Sequence, residues 1–213
     1  MENILEIITK NVIEKLKESE KYQVPIGVSN RHVHLCEKDL NILFGDGYKL
    51  TKKSQLKQPG QFAANEVVTI RGKKGQFEKV RILGPVRTKT QVEISITDSF
   101  KLGVKSMVKQ SGHLNNTPGI KIIGPKGEVD IPQGTIVALR HIHLTPTMAR
   151  NLKLKDNDAI GVQTLGERKG IMGNVLVRVS EKSSTEMHID VDEANAFELK
   201  NNDIAIIKKK QVI

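Results

Sequence analysis

The chain has 213 residues, 38% of them hydrophobic and 27% charged, a globular composition with enough length to bury one large core or two small ones. A formal net charge of +10 points to an anionic partner, while five Phe, two Tyr and no Trp leave few stacking platforms. Without a helix-turn-helix, finger or RNP pattern nucleic acid is excluded as the anion; no apolar run reaches a membrane span, no cleavable leader is evident, and a single cysteine, Cys36, suits a reducing cytoplasm.

Residues 2–19 read as an amphipathic helix, with Ile4, Leu5, Ile7, Ile8, Val12, Ile13 and Leu16 on one broad face. A helix outside the core fold suits association, so residues 1–20 are set apart as helix and linker. Ile26 to Leu35 reads as a strand carrying Arg31-His32-Val33-His34-Leu35, followed by a helix near Glu37 to Phe44 that Gly45 ends. Strands are predicted at Glu66 to Arg71, Lys79 to Leu83, Gln91 to Thr97, Ile120 to Ile123 and Thr135 to Leu139. Gly72, Gly75, Gly124 and Gly127 read as hairpin turns.

The pentapeptide then returns as Arg140-His141-Ile142-His143-Leu144. Thr145 is a natural N-cap with Pro146 at the first helical position. Cys36 holds the position of Thr145 in the first copy, where it caps poorly; it reads as a soft extra ligand or, the favoured expectation, as a buried small hydrophobe. Later strands are predicted at Asp158 to Gln163, Asn174 to Val179, Glu186 to Val191 and Asp203 to Ile207. Many short strands with few helices predict a mainly β fold: two small β-barrel domains from an internal duplication, with short capping helices. Residues 21–30 plus 139–213 would form the barrel of the second pentapeptide, and residues 31–138 that of the first.

Four of the six histidines lie in the two pentapeptides. On an extended segment His-x-His sets both rings on one face, within reach of one cation at roughly 2.0–2.1 Å. A lone His-x-His is common and means little; its recurrence once in each half favours metal binding. The repeat extends further, because Thr90 to Asp98 aligns with Thr185 to Asp192, and Phe100-Lys-Leu with Phe197-Glu-Leu. Glu93 then matches His188, giving each half a third ligand, although Glu93 alone reads equally well as a solvated strand carboxylate. Three protein ligands with an open position is a catalytic arrangement, whereas four would be structural.

Arg87 follows the Gly84-Pro85 turn and leads into the Glu93 strand, and Arg178 lies late on the strand before His188; both are candidate anion ligands. Gln58 and Gln61 stand in one polar, glycine-containing loop, Ser111 and His113 in another. His113 has no neighbouring histidine, so a substrate role outranks a metal role there.

These motifs (Pro25 to Leu35, Gly84 to Arg87, Gln91 to Glu93, Ser111 to His113 and Arg140 to Pro146) resemble the PduL-type phosphotransacylases, the phosphate propanoyltransferase family, from about Pro25 to Ile207. The resemblance implies two β-barrels with a dinuclear zinc site between them, His32, His34 and Glu93 on one zinc and His141, His143 and His188 on the other. Other divalent metals suit the same donors. It further implies acyl-CoA and phosphate as substrates, acetyl- or propionyl-CoA being the expected class, with CoA released and Arg87 binding phosphate. Arg178, Gln58, Gln61 and Ser111 would lie near the site. A homodimer or higher oligomer is expected, and residues 1–20 would contact a bacterial microcompartment's cargo or shell. Two other classes use the same ligands: a metal-dependent thioester or other hydrolase, and a structural-zinc scaffold.

Overall fold

A computed structural model describes residues 3–6, 8–10 and 22–208. Among the described residues the chain is mainly β, 41% strand and 18% helix, with one closed barrel and one curled half-barrel sheet. The expected amphipathic helix is helical at residues 4–6 and 8–10; the rest of that prediction lies outside the described residues.

Six strands close the barrel in the order β1-β14-β11-β13-β12-β15. These are β1 Gln23–Ser29, β11 His141–Leu144, β12 Ala159–Gln163, β13 Ile171–Val179, β14 Glu186–Asp190 and β15 Ile204–Lys208. Closure falls between β1 and β15, antiparallel, with Gln23 opposite Ile206. The second sheet runs β7-β10-β6-β2-β5-β4-β8-β9, with β3 added beside β4. Its strands are β2 His32–His34, β3 Lys52–Gln55, β4 Phe62–Arg71, β5 Gln76–Gly84, β6 Gln91–Glu93, β7 Val108–Lys109, β8 Ile120–Ile123, β9 Glu128–Ile131 and β10 Thr135–Ala138. Val33, Leu35, Ile70, Ile82, Val92 and Ile122 are wholly buried in its core. The sheet ends at β9, where Glu128 and Asp130 pair with Lys121 and discourage further strand addition.

By packing, the chain forms two compact units, residues 1–27, 141–187 and 197–213 in one and 28–140 and 188–196 in the other. That division cuts β14 between Met187 and His188, whereas hydrogen bonding keeps the whole strand in the barrel. Backbone pairing defines a strand's membership, so β14 belongs whole to the barrel.

Within residues 22–208 lie four short helices: α1 Glu37–Phe44, α2 Ile96–Leu102, α3 Pro146–Leu152 and α4 Val191–Phe197. The predicted strand from Ile26 to Leu35 is two, because the chain breaks at Asn30 and Arg31 and passes from the barrel into the second sheet. The strand predicted from Gln91 to Thr97 stops at Glu93, since Ser95 and Asp98 form a capping box that starts α2.

Both predicted hairpin turns also finish a helix. Gly72 N–H donates to Gly75 O (2.9 Å) and Gly124 N–H to Gly127 O (2.9 Å). Between them Lys74 N–H donates to Leu102 O (3.0 Å) and Lys126 N–H to Leu43 O (3.0 Å), satisfying orphan carbonyls of α2 and α1. A Cβ at Gly72 would lie 2.1 Å from Leu102 O and one at Gly124 2.5 Å from Leu43 O, so the close approach demands glycine.

At the N-terminus of α1, Cys36 makes no side-chain cap, as expected, but it is half-buried rather than buried. Thr90 completes the other half of a capping box, linking the third helical residue back to the cap residue: its hydroxyl accepts from Cys36 N–H (3.0 Å) and donates to Asp39 Oδ2 (2.5 Å). Thr145 caps α3 directly, accepting from Met148 N–H at 3.2 Å.

Candidate functional site

Antiparallel pairing of β2 with β6 sets His32 opposite Glu93 and His34 opposite Gln91. The ligand atoms of His32, His34 and Glu93 all lie within 4.8 Å of one another. His32 Nε2 is 3.4 Å and His34 Nε2 3.9 Å from Glu93 carboxylate oxygens, and the two rings meet edge to face at 5.1 Å. The opposite ring nitrogens face backbone carbonyls, His32 Nδ1 toward Asn30 O (2.8 Å) and His34 Nδ1 toward Leu83 O (3.2 Å). Donation from Nδ1 to these carbonyls leaves Nε2 of each ring available to a cation placed beside Glu93, the usual support of a metal-ligating imidazole.

Electrostatics agree with that chemistry. Burial, then the neighbouring His32 and Arg87 charges, push the His34 pKa down to about 3, so its ring stays neutral. Burial opposes a charge on His32, but Glu93's charge and hydrogen bond, aided by Asn30 O, outweigh it and raise the pKa. Burial likewise opposes ionisation of Glu93, yet His32, His34 and Arg87 hold it well below the usual carboxylate range. An anionic carboxylate beside the Nε2 atoms of two buried imidazoles is a donor set that fits a divalent cation.

The second cluster stands on neighbouring barrel strands. His141 and His143 lie on β11 and His188 on β14, with ligand atoms again within 4.8 Å. The His141 and His143 rings meet edge to face at 4.9 Å, nearly repeating the first pair. Parallel pairing of β11 with β13 sets Arg178 beside His143.

Around Glu93 a hydrogen-bonded network gathers residues from three loops and strands. Arg87 Nη1 donates to Ser111 Oγ (3.2 Å), and Ser111 Oγ donates to Glu93 Oε1 (3.1 Å). Gln91 is 1% exposed; its Nε2 donates to Glu93 Oε1 (2.5 Å) and Ser111 Oγ (2.9 Å), and its Oε1 accepts from Gly112 N–H (2.8 Å). Sequence reading missed Gln91 as a site residue; its place two before Glu93, on the same strand face, was the available signal. At the equivalent place before His188 stands Glu186, also buried. Each copy thus carries one carboxylate on this face, at exchanged positions.

Gln58 and Gln61 occupy the β3–β4 loop, where Gln61 N–H donates to Gln58 O at 3.2 Å. His113 is exposed, in the turn after Ser111, and its backbone N–H donates to Gln110 O (2.9 Å). Neither metal-capable group includes it.

Comparison with known proteins follows the same residues. A sequence model of the family described as phosphate propanoyltransferase matches residues 25–200. A phosphate propanoyltransferase of Rhodopseudomonas palustris is 54% identical over 189 residues, covering 89% of this chain and 84% of that protein. Its counterpart in Thermotoga maritima is 49% identical over 209 residues (94% and 99%), and that of Clostridioides difficile 46% identical over 210 residues (99% and 100%).

Proposed function

From the premise that the chain belongs to the phosphate propanoyltransferase family, an acyltransferase family, we propose that it converts acyl-CoA and phosphate to acyl phosphate and CoA at a dinuclear metal site, acetyl- and propionyl-CoA being its substrate class. The observation that carries this reading is the joining of a three-ligand cluster to an arginine: Arg87 reaches Glu93 through Ser111 in one hydrogen-bonded network.

In this reading His32, His34 and Glu93 hold one cation and His141, His143 and His188 the other. Zinc suits these donors, and other divalent first-row metals compete for them. Bound there, such cations supply Lewis-acid stabilisation of developing negative charge. Arg87 binds phosphate and aims one oxygen at the thioester carbonyl carbon. Attack forms the new O–C bond and moves the carbonyl electron pair onto oxygen; its return breaks the C–S bond, and CoA leaves as a thiolate that takes up, through solvent, the proton phosphate gives up. Phosphate is itself the nucleophile, so no covalent acyl-enzyme is required. Arg178, beside His143, is a second anion ligand. Gln58, Gln61 and His113 contact the acyl-CoA from their loops. No helix among the described residues is long and apolar enough to cross a membrane. Exposed Ile4, Leu5 and Ile8 support self-association or microcompartment contact through residues 1–20.

Thiol release from acetyl-, propionyl- and butyryl-CoA, with and without phosphate and alongside metal analysis, tests the reading. Release that requires phosphate, with acyl phosphate accumulating, is expected for the two shorter substrates. An equal rate without phosphate makes the protein a hydrolase, and four protein ligands per metal with no turnover makes it a scaffold.

A further inference from the structure

Each His-x-His is preceded by an arginine, and neither arginine is directed to an anion site. Arg31 forks onto Asp98, Nε to Oδ2 at 3.0 Å and Nη2 to Oδ1 at 2.7 Å, with Asp98 only 3% exposed. Arg140 Nε meets Glu193 Oε1 at 2.7 Å. The two acids hold one position in the repeat. Asp98 is the third residue of α2 and completes its capping box: Ser95 N–H donates to Asp98 Oδ2 (3.2 Å) and Asp98 N–H to Ser95 Oγ (3.1 Å). Glu193 is the third residue of α4 and does the same with Asp190, which donates N–H to Glu193 Oε2 (3.1 Å) and accepts from Glu193 N–H at Oδ1 (2.9 Å). Glu93 and His188 lie on the short strands leading into these helices.

We propose that Arg31 and Arg140 are positioning residues, each tying a His-x-His strand to the capped helix behind that cluster's third ligand, so that the three donors are held in register for a cation. The inference rests on the reading that both clusters hold metal. Each acid divides its acceptor capacity between a backbone N–H and a guanidinium, so one carboxylate fixes the helix start and the ligand strand together. Ligand geometry must be held to about 0.5 Å to be productive, and loss of such supporting contacts costs about 10–100-fold in metal affinity.

The two braces differ in stiffness. Arg31 makes two parallel bonds to a buried acid, and its guanidinium carbon lies 4.1 Å from the centroid of the Phe77 ring. The Arg140 contact is single, its partners 31% and 20% exposed. Arg31 therefore matters more to its cluster than Arg140 does to its own.

The experiment is a zinc titration of the metal-stripped full chain against a competing chelator, on wild type, Arg31→Met, Arg31→Lys, Asp98→Asn and Arg140→Met, with melting of the metal-free proteins alongside. Wild type binding no zinc overturns the underlying metal reading. With two zinc ions in wild type, Arg31→Met is expected to weaken one by about tenfold or more and leave the other within about twofold. Arg140→Met does the reverse, more weakly. Arg31→Lys, with the charge but not the fork, lies between wild type and Arg31→Met; Asp98→Asn, whose amide oxygen still accepts from Ser95, matches Arg31→Met. Combined with Glu93→Ala, which already removes the first cluster's third ligand, Arg31→Met has no further effect on the remaining zinc. Unchanged affinity at both sites, or equal loss at both, overturns the inference. Should Arg31→Met fail to fold without metal, Arg31→Lys decides, and unchanged zinc affinity in it overturns the proposal.

Discussion

Gln91→Met replaces a 1% exposed amide by a side chain of similar length without hydrogen-bonding groups. Three contacts disappear: those to the Gly112 N–H and the Ser111 hydroxyl, and the 2.5 Å bond to Glu93. The two neutral bonds contribute about 1 kcal/mol each and the bond to the ionised Glu93 about 1.5–3 kcal/mol. Together, their loss should cost the metal-free protein about 3.5–5 kcal/mol, a large part of a native stability of about 5–15 kcal/mol. Glu93 also loses the contact that aims its Oε1, and zinc affinity at that cluster should fall by about 10–100-fold. Urea unfolding of the stripped protein reads the first effect, and chelator competition the second. A variant destabilised as stated but with wild-type zinc affinity at both sites would show that Gln91 holds the fold and not the ligand, and would refute this account of Glu93.

Arg87→Ala should raise the phosphate requirement or lower turnover by about tenfold or more, as expected for a charged hydrogen bond of about 1.5–3 kcal/mol, with metal content little changed; unchanged phosphate kinetics would remove it from the site. In metal-free protein, Glu93→Gln tests the His32–Glu93 pairing by pH. Glu93's lowered pKa contributes stability above the unfolded value of about 4.3, lost as pH falls through the folded value. The raised pKa of His32 contributes stability below about 6.5, lost as pH rises through its folded value. The wild-type advantage over Glu93→Gln should therefore peak between these limits, and a difference that is flat with pH would contradict the pairing. Cys36→Ser gives α1 its own capping hydroxyl, which the cysteine does not supply, and should stabilise the chain by about 0.5–1 kcal/mol in urea unfolding; unchanged stability would mean that the amides of the first turn gain nothing from a hydroxyl at this position.

Much of the site was legible because ligand chemistry tolerates few residue types: histidines repeated at one spacing stand out against a background of six. Helix α1 was legible for a similar reason, with Gly45 marking its end. The break at Asn30 and Arg31 was not, since an unbroken apolar run reads the same whether one sheet or two bury it. Helices α2 and α4 were hidden because Ile94 and Ile96 alternate as a strand would, although Ser95-x-x-Asp98 and Asp190-x-x-Glu193 both carry the capping pattern. The end of the repeat aligns by a carboxylate shared in type, Asp98 with Asp192, only if one residue is skipped. Kept at a constant offset from Glu93 and His188, Asp98 matches Glu193, and Thr97 matches Asp192. These last two equivalent positions touch, Thr97 N–H donating to Asp192 Oδ2 at 2.8 Å. No period or motif in one copy announces a contact to the other.

The pairing of β1 with β15 has a temporal side. The ribosome emits residue 23 early and residue 206 among the last of the described chain, yet these two lie opposite each other where the barrel shuts. Until then β1 has no antiparallel neighbour on that flank, and its bare amides and carbonyls invite a foreign strand. Contacts between such distant residues form slowly, because loop-closure entropy must be overcome before any bond is made. The second sheet, built wholly from intervening sequence, has all its strands out of the exit tunnel first. Nascent chains stalled before residue 204 should therefore carry an ordered second sheet and an unclosed barrel, and their exposed β1 is where misassembly during synthesis would begin.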